Sequence, residues 1–428
     1  MKQSLRSFTV ILMVLALIIG LSGCQKKNAA PADNDSSTIE FWVWNDDEQL
    51  ARKVVEAYQA EFPNRKVNVT MTPVREYPDK LIAAMAANAG PDVMCIDGNA
   101  VISEYISRKL ILNLDDYIKK GGIDLSIYGD NFNDQVRFQG SLYSLPYRSS
   151  VWVIAYNKTM FQERGVPLPT DDMTWEQIFE TGRKMTFGEG PSKTYGLHFH
   201  TRNDDYLLSA FQHGFTFLDD DFSLVRTGME MKNQAVKEGI SLPHGEIKST
   251  GLGVRPAFEQ KRTAVYFTGD WTINQMRNSK ANGNIDFDWD FAALPHLTGE
   301  PAQQSHGAWV HTAVNARSKS PEAAYHFTQY FAGVQGATIF AAGGTLPAAK
   351  YHPEVRTAFI GDRSLPPQNI EVLFRENVHQ PEPITPGLNQ IKQIFLEESE
   401  LVFIGEKSID DSIKAIQSRR AEVIKNNK

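Results

Sequence analysis

Residues 38–97 read TIEFWVWNDDEQLARKVVEAYQAEFPNRKVNVTMTPVREYPDKLIAAMAANAGPDVMCID, and this stretch decides the fold class. Thr38 to Trp44 is rich in β-branched and aromatic side chains, which suit a pleated, half-buried surface, so it predicts a strand. Asn45-Asp46-Asp47 offers side chains able to cap a helix. Leu50, Val54, Tyr58 and Phe62 then recur every four residues, one apolar stripe on a helix that stops before Pro63-Asn64. Val67, Val69 and Met71 alternate, as in a half-exposed strand. Leu81, Ile82 and Met85 predict a second helix, broken at Gly90-Pro91, and Asp92 to Asp97 is a short apolar strand. The order strand, helix, strand, helix, strand predicts a parallel sheet with crossover helices.

The mixed character continues beyond this unit. Val151 to Tyr156 reads as a strand. Thr174-Trp175-Glu176-Gln177 has the form of a capping box opening a helix with Ile178 and Phe179. Thr263 to Phe267 is another strand, halted at Gly269-Asp270-Trp271. Ser320-Pro321-Glu322 opens a helix with the stripe Ala324, Phe327 and Phe331. No short-period repeat occurs, and 428 residues suffice for two domains of ordinary size. The fold class expected is α/β, in two lobes.

The N-terminus has its own logic. Lys2 and Arg6 precede an apolar run from Phe8 to Gly20, and Leu21-Ser22-Gly23-Cys24 follows. A short apolar core ending in small residues predicts a secretory signal peptide over 1–23, too short for a comfortable transmembrane helix. The ending resembles a bacterial lipobox, which implies acylation of Cys24 and attachment to the membrane through that anchor only. Residues 24–37 are small and polar and read as a tether. Removing residues 1–23 takes away two basic groups and no acid, moving the formal net charge from −7 to −9. An acidic chain without a basic run speaks against nucleic-acid binding. Cys95 lies in an apolar run and reads as a buried small hydrophobe.

Common catalytic signatures are missing. No phosphate-binding loop, H-E-x-x-H or G-x-S-x-G occurs, and no dinucleotide fingerprint. His198 and His200 share a strand face, but no third metal ligand accompanies them. Neither cofactor nor metal is expected. Asp46-Asp47, Asp204-Asp205 and Asp219-Asp220-Asp221 keep a secreted glycoside hydrolase open as the enzyme alternative, since such an enzyme needs two facing carboxyls. Beside Asn and Gly such clusters also serve as turns and caps.

A run of landmarks then carries a resemblance. After FWVW (41–44) come Ala60-Glu61-Phe62-Pro63-Asn64, Lys80 to Ala84, and Gly90-Pro91-Asp92-Val93. Gly140 to Tyr147 (GSLYSLPY), Ala155-Tyr156-Asn157-Lys158, Thr174-Trp175 and Thr194-Tyr195-Gly196 follow. Ala264 to Trp271 (AVYFTGDW), Ala293-Leu294-Pro295, Ala313-Val314-Asn315, Ser318 to Ala324 and Leu346-Pro347-Ala348 complete the order. Together they span nearly the whole chain after the tether, which resembles the extracellular solute-binding proteins of ABC importers, the group that includes oligosaccharide-binding proteins. The resemblance implies a binding protein, not an enzyme. It would be a monomer of two lobes joined by hinge strands, delivering a small-molecule ligand, most simply a sugar, to importer permease subunits outside the cytoplasmic membrane. By family position the chain crosses between lobes at Tyr147 to Ser150, at His306 to Val310 and near residues 350–358. The lobes are then 38–147 with 309–355, and 148–308 with 356–428.

A sugar site needs aromatic faces and paired hydrogen-bonding groups, supplied in open α/β sheets by loops at strand C-termini. Trp44, Asn45 and Asp46 follow the first strand, with Asp46 reading equally as a helix cap. Asp97 and Asn99 follow the third strand, on either side of Gly98. Tyr147 and Arg148 lie at the first crossing, where an arginine in an apolar strand calls for an anionic or hydroxyl partner. Ser150 stands where maltose-binding relatives carry a carboxylate, which puts a maltodextrin ligand in doubt. Arg202, Asp204 and Tyr206 fall where relatives place contacts in the second lobe. Asp270 and Trp271 match a Gly-x-Trp turn whose tryptophan stacks on sugar, and His306 and Trp309 lie at the second crossing. Arg148 together with Arg202 also leaves open a phosphate-bearing ligand such as a glycerophosphodiester; a polyamine is the remaining alternative.

Overall fold

The opening strand, β1 (Thr38–Trp44), buries Ile39, Phe41 and Val43 completely. It runs parallel to β2 (Lys66–Thr72), with Thr38 opposite Lys66, and parallel to β3 (Val93–Asp97), with Phe41 opposite Val93. The helix between them, α1 (Glu48–Glu61), turns Leu50, Val54 and Tyr58 into the core, as their spacing requires. Asp47 stands at its N-cap without a side-chain cap bond, because its carboxylate is used elsewhere. The computed structural model describes residues 37–74, 76–129, 132–199, 205–374, 378–379 and 382–427. The signal peptide, residues 24–36 of the tether, His200, Arg202 and Asp204 lie outside the described residues.

The chain returns to this sheet twice. β4 (Leu145–Ser149) and β10 (Trp309–Val314) complete a five-stranded sheet of order β2-β1-β3-β10-β4, with β10 antiparallel to both neighbours. A helix at Pro321–Ala332 packs Phe327 and Phe331 against Phe41. Ser320 precedes it without making the cap bond its position suggests.

A second sheet of four strands has the order β6-β7-β5-β8. It comprises β5 (Trp152–Asn157), β6 (Tyr195–His198), β7 (Thr263–Gly269) and β8 (Trp289–Ala293). The helix at Trp175–Met185 covers it. Thr174 and Gln177 close the predicted capping box, with backbone-to-side-chain bonds of 3.3 and 2.8 Å. A small ladder pairs β9 (Ser305–His306) with β11 (Val378–His379).

β4 ends in the first sheet and β5 begins in the second, so the chain passes between them at 150–151. The second passage, 307–308, lies between β9 and β10. The third is expected near 350–358, where His352-Pro353 opens one more helix, Pro353–Ile360, with Val355 and Phe359 buried in the main core. The chain is next pinned to the second sheet at Asn369, whose backbone N–H donates to Asp290 at 2.9 Å. The parallel strands β1 and β3 end at this edge of the first sheet, and β7 ends at the matching edge of the second.

Candidate binding site at the chain crossings

The two passages lie side by side. Ser150 N donates to the Ala308 carbonyl and Ala308 N to Ser150 Oγ, both at 2.9 Å. Gly307 is required here, since a Cβ would stand 2.0 Å from the Ser150 carbonyl oxygen. Ser150 is therefore engaged in clasping the crossing strands.

A buried ion pair backs this clasp on the side of the first sheet. Arg148 Nη1 donates to both Asp47 oxygens, at 2.7 and 2.8 Å, and the Tyr147 hydroxyl donates to Asp47 Oδ2 at 2.6 Å. The side chains of Arg148 and Asp47 are only 14% and 4% exposed. Burial pulls the guanidinium pKa down, but the charges of Asp47 and Asp270 and the hydrogen bonds to Asp47 outweigh it and the net shift is upward. An anionic partner of the kind that an arginine in an apolar strand calls for is thus present within the chain.

Asp270 is the counterpart from the second sheet. It is fully buried. Its Oδ1 accepts the Val151 N–H at 2.9 Å, and its Oδ2 has no hydrogen-bond partner. Burial raises its pKa to about 6, and the positive charges of Arg148 and Lys350 restrain the rise. Lys350 is buried too, its Nζ donating to the Leu373 carbonyl at 3.2 Å. Burial lowers its pKa to about 8 against the pull of Asp270.

Aromatic rings continue the site along β5 and β7. Trp152 pairs with Gly269 across the sheet. Trp271 is partly exposed and meets Trp152 edge to face, ring centroids 5.1 Å apart. A Cβ on Gly269 would come within 2.1 Å of the Trp271 ring, so the glycine makes room for the indole. Trp152 stacks on His306 at 5.2 Å, and His306 lies 5.0 Å from Phe211. Two partly exposed indoles set at right angles present an apolar corner with polar groups close in sequence, the chemistry a sugar ring requires.

A family model described as bacterial extracellular solute-binding protein matches residues 44–338. The chain belongs to this family. It is 24% identical over 360 residues to the galactooligosaccharide-binding protein of Bacillus subtilis (strain 168), a match covering 80% of each chain. A shorter match, 26% identical over 164 residues, joins it to the sn-glycerol-3-phosphate-binding periplasmic protein of Agrobacterium fabrum, covering 36% of this chain and 37% of that one. Among solved structures, a sugar transporter from Rhizobium etli in an open conformation has a TM-score of 0.78 and 26% identity, covering 90% of this chain and 98% of that one.

In this solute-binding protein the remaining predicted residues divide into two groups. Asn45, Asp46 and Asp97 stand at strand ends, with Asp46 and Asp97 exposed and Asn45 Oδ1 accepting the Val74 N–H at 2.9 Å. The others are packed. Trp44 is buried edge-on against Tyr77. Asn99 is buried, its amide N–H bonds spent on the carbonyls of Gln135 and Glu382 and its Oδ1 2.8 Å from His311. Trp309 is buried and donates to Gln135 Oε1. Tyr206 sits in the helical core of the second lobe, its hydroxyl directed to the Phe395 carbonyl. The acidic clusters also find structural partners: Asp219 accepts Thr216 N, Asp221 accepts Ser223 N, and Asp205 pairs with Lys232 at 2.6 Å.

Three residues of this arrangement escaped sequence reading. Sequence pattern places Asp47 at a helix cap and in an acidic pair with Asp46, gives Lys350 no local motif, and marks Trp152 only as a strand residue. The available signal for Trp152 was its place at the start of a strand that follows a predicted crossing.

Proposed function

We propose that this protein is the extracytoplasmic receptor of an ABC importer and captures a carbohydrate between its two lobes. The observation that carries the reading is the corner formed by Trp271 and Trp152, set beside the buried polar groups Asp270 and Arg148 at the chain crossings. The galactooligosaccharide-binding relative supports a glycan of one or a few units. Asn45, Asp46 and Asp97 at the strand ends of the first lobe are the hydroxyl-binding groups of choice, and the protein works by binding and hinge closure, not by chemistry on the ligand. Attachment to the membrane is through an acylated Cys24, the cysteine that closes Leu21-Ser22-Gly23-Cys24.

A thermal-shift screen across neutral mono- and oligosaccharides tests this reading. A ligand at 100 times its Kd stabilises the folded state by about 2.7 kcal/mol, so a true ligand gives a clear rise in Tm and is recovered intact afterwards. No response to any glycan, or hydrolysis of the one that binds, would overturn the reading.

A further inference from the structure

We propose that Asp47 is a specificity-determining residue, a resident counter-ion that occupies Arg148 and so excludes anionic ligands from the crossing while leaving neutral, hydroxyl-bearing ones admissible. The proposal rests on the receptor reading only in placing the ligand at the crossing.

The geometry of Asp47 is that of a bound anion. Its two oxygens take two bonds from Arg148 and one from Tyr147, all between 2.6 and 2.8 Å. A ligand phosphate or carboxylate would seek the same guanidinium. To reach it, the ligand must displace a carboxylate held by three bonds, or add a further negative charge between Asp47 and Asp270 where screening by water is poor. The other buried cation at the crossing offers no substitute, since Lys350 is bonded to the Leu373 carbonyl and lies within the field of Asp270. A neutral hydroxyl meets no such obstacle. Arg148 Nε and Asp270 Oδ2 are buried without hydrogen-bond partners, one a donor and one an acceptor, and a hydroxyl can serve either without disturbing Asp47.

Removing the Asp47 charge leaves a buried guanidinium that favours any small anion able to enter. Asparagine at this position keeps the shape and an acceptor for Tyr147, so the change isolates the charge.

The test titrates inorganic phosphate and glycerol 3-phosphate, with glycerol as the neutral control, into the purified full chain by calorimetry and thermal shift. The chains compared are wild type, Asp47→Asn, and Asp47→Asn combined with Arg148→Gln. Wild type should show no saturable binding of either anion. Asp47→Asn should bind both about ten-fold more tightly or better, and the double variant should lose that gain. If Asp47→Asn folds poorly, recovery of folded protein with and without phosphate reads the same effect, and phosphate-dependent recovery supports the proposal. Wild type that binds glycerol 3-phosphate as well as the variant does would overturn it. So would Asp47→Asn with neither anion binding nor phosphate-dependent recovery. None of these titrations uses a sugar, so a failed glycan screen and a failed counter-ion proposal are separately visible.

Discussion

Asp270→Asn should remove a pH-dependent cost that the wild-type fold carries at neutral pH. The carboxyl rises from 3.8 to about 6 on folding, because burial disfavours its charge more than Arg148 and Lys350 favour it. The folded chain therefore binds this proton more tightly than the unfolded chain. Stability contributed by the protonated group is full below about pH 4 and is lost as pH climbs through about 6. The difference between 3.8 and about 6, at about 1.4 kcal/mol for each pH unit, makes the loss about 3 kcal/mol. Asparagine retains an oxygen to accept the Val151 N–H and carries no charge, so it escapes the loss. Urea unfolding followed by tryptophan fluorescence, run on both proteins from pH 4 to pH 7.5, measures the effect. The stability of the variant relative to wild type should rise across this range by up to about 3 kcal/mol. Groups that do not interact with Asp270 cancel in the difference. A difference that stays flat with pH would refute the reasoning and place Asp270 in a setting that tolerates its charge.

Three further outcomes follow from single contacts. Trp271→Ala should weaken binding of whichever glycan the screen identifies by about 30-fold, the effect of losing about 2 kcal/mol from an aromatic anchor, while lowering stability by only about 1–2 kcal/mol because the ring is partly exposed and meets Trp152 edge to face; titration calorimetry and thermal melting read the two separately. Gly307→Ala forces a Cβ toward the Ser150 carbonyl, 2.0 Å away, so it should cost about 1–3 kcal/mol of unfolding free energy in urea and disturb the second crossing. Cys24→Ala should move the protein from the membrane to the soluble fraction on cell fractionation, and unchanged retention would count against the lipid anchor.

The first sheet was legible because its unit is local. One strand, a helix with a four-residue stripe and two further strands fall within residues 38–97, and their periodicities agree with the pairing of β1 to β2 and β3. The second sheet was legible as strands, but its order was not, because β5 pairs with β7 and β8 from far along the chain. The site was least legible. Trp44 and Asp46 occupy the loop that sequence pattern selects, yet the residue that the fold uses most intensively there is Asp47. Its importance comes from Tyr147 and Arg148, a hundred residues away in sequence, and no local pattern announces such a pairing. Arg148 is legible from the cost of an unpaired buried cation, whereas its partner Asp47 is not, because the two meet only in the fold.

The placement of charge at the crossings bears on how two lobes can move with little penalty. Arg148 and Asp47 both belong to the first lobe, and Asp270 bonds Val151, which lies on the crossing strand itself, so these contacts can persist whether the cleft is open or closed. Lys350 differs. It follows Leu346-Pro347-Ala348, which is hydrogen-bonded alongside β4 through Ser149 and Tyr147, but its ammonium bonds the carbonyl of Leu373, in a short helical turn packed against β8. It therefore reaches from one sheet to the other, within the field of Asp270. Burial holds Lys350 at about 8 and Asp270 at about 6, so at neutral pH both are largely charged, and for each the cost of desolvation exceeds the attraction it receives.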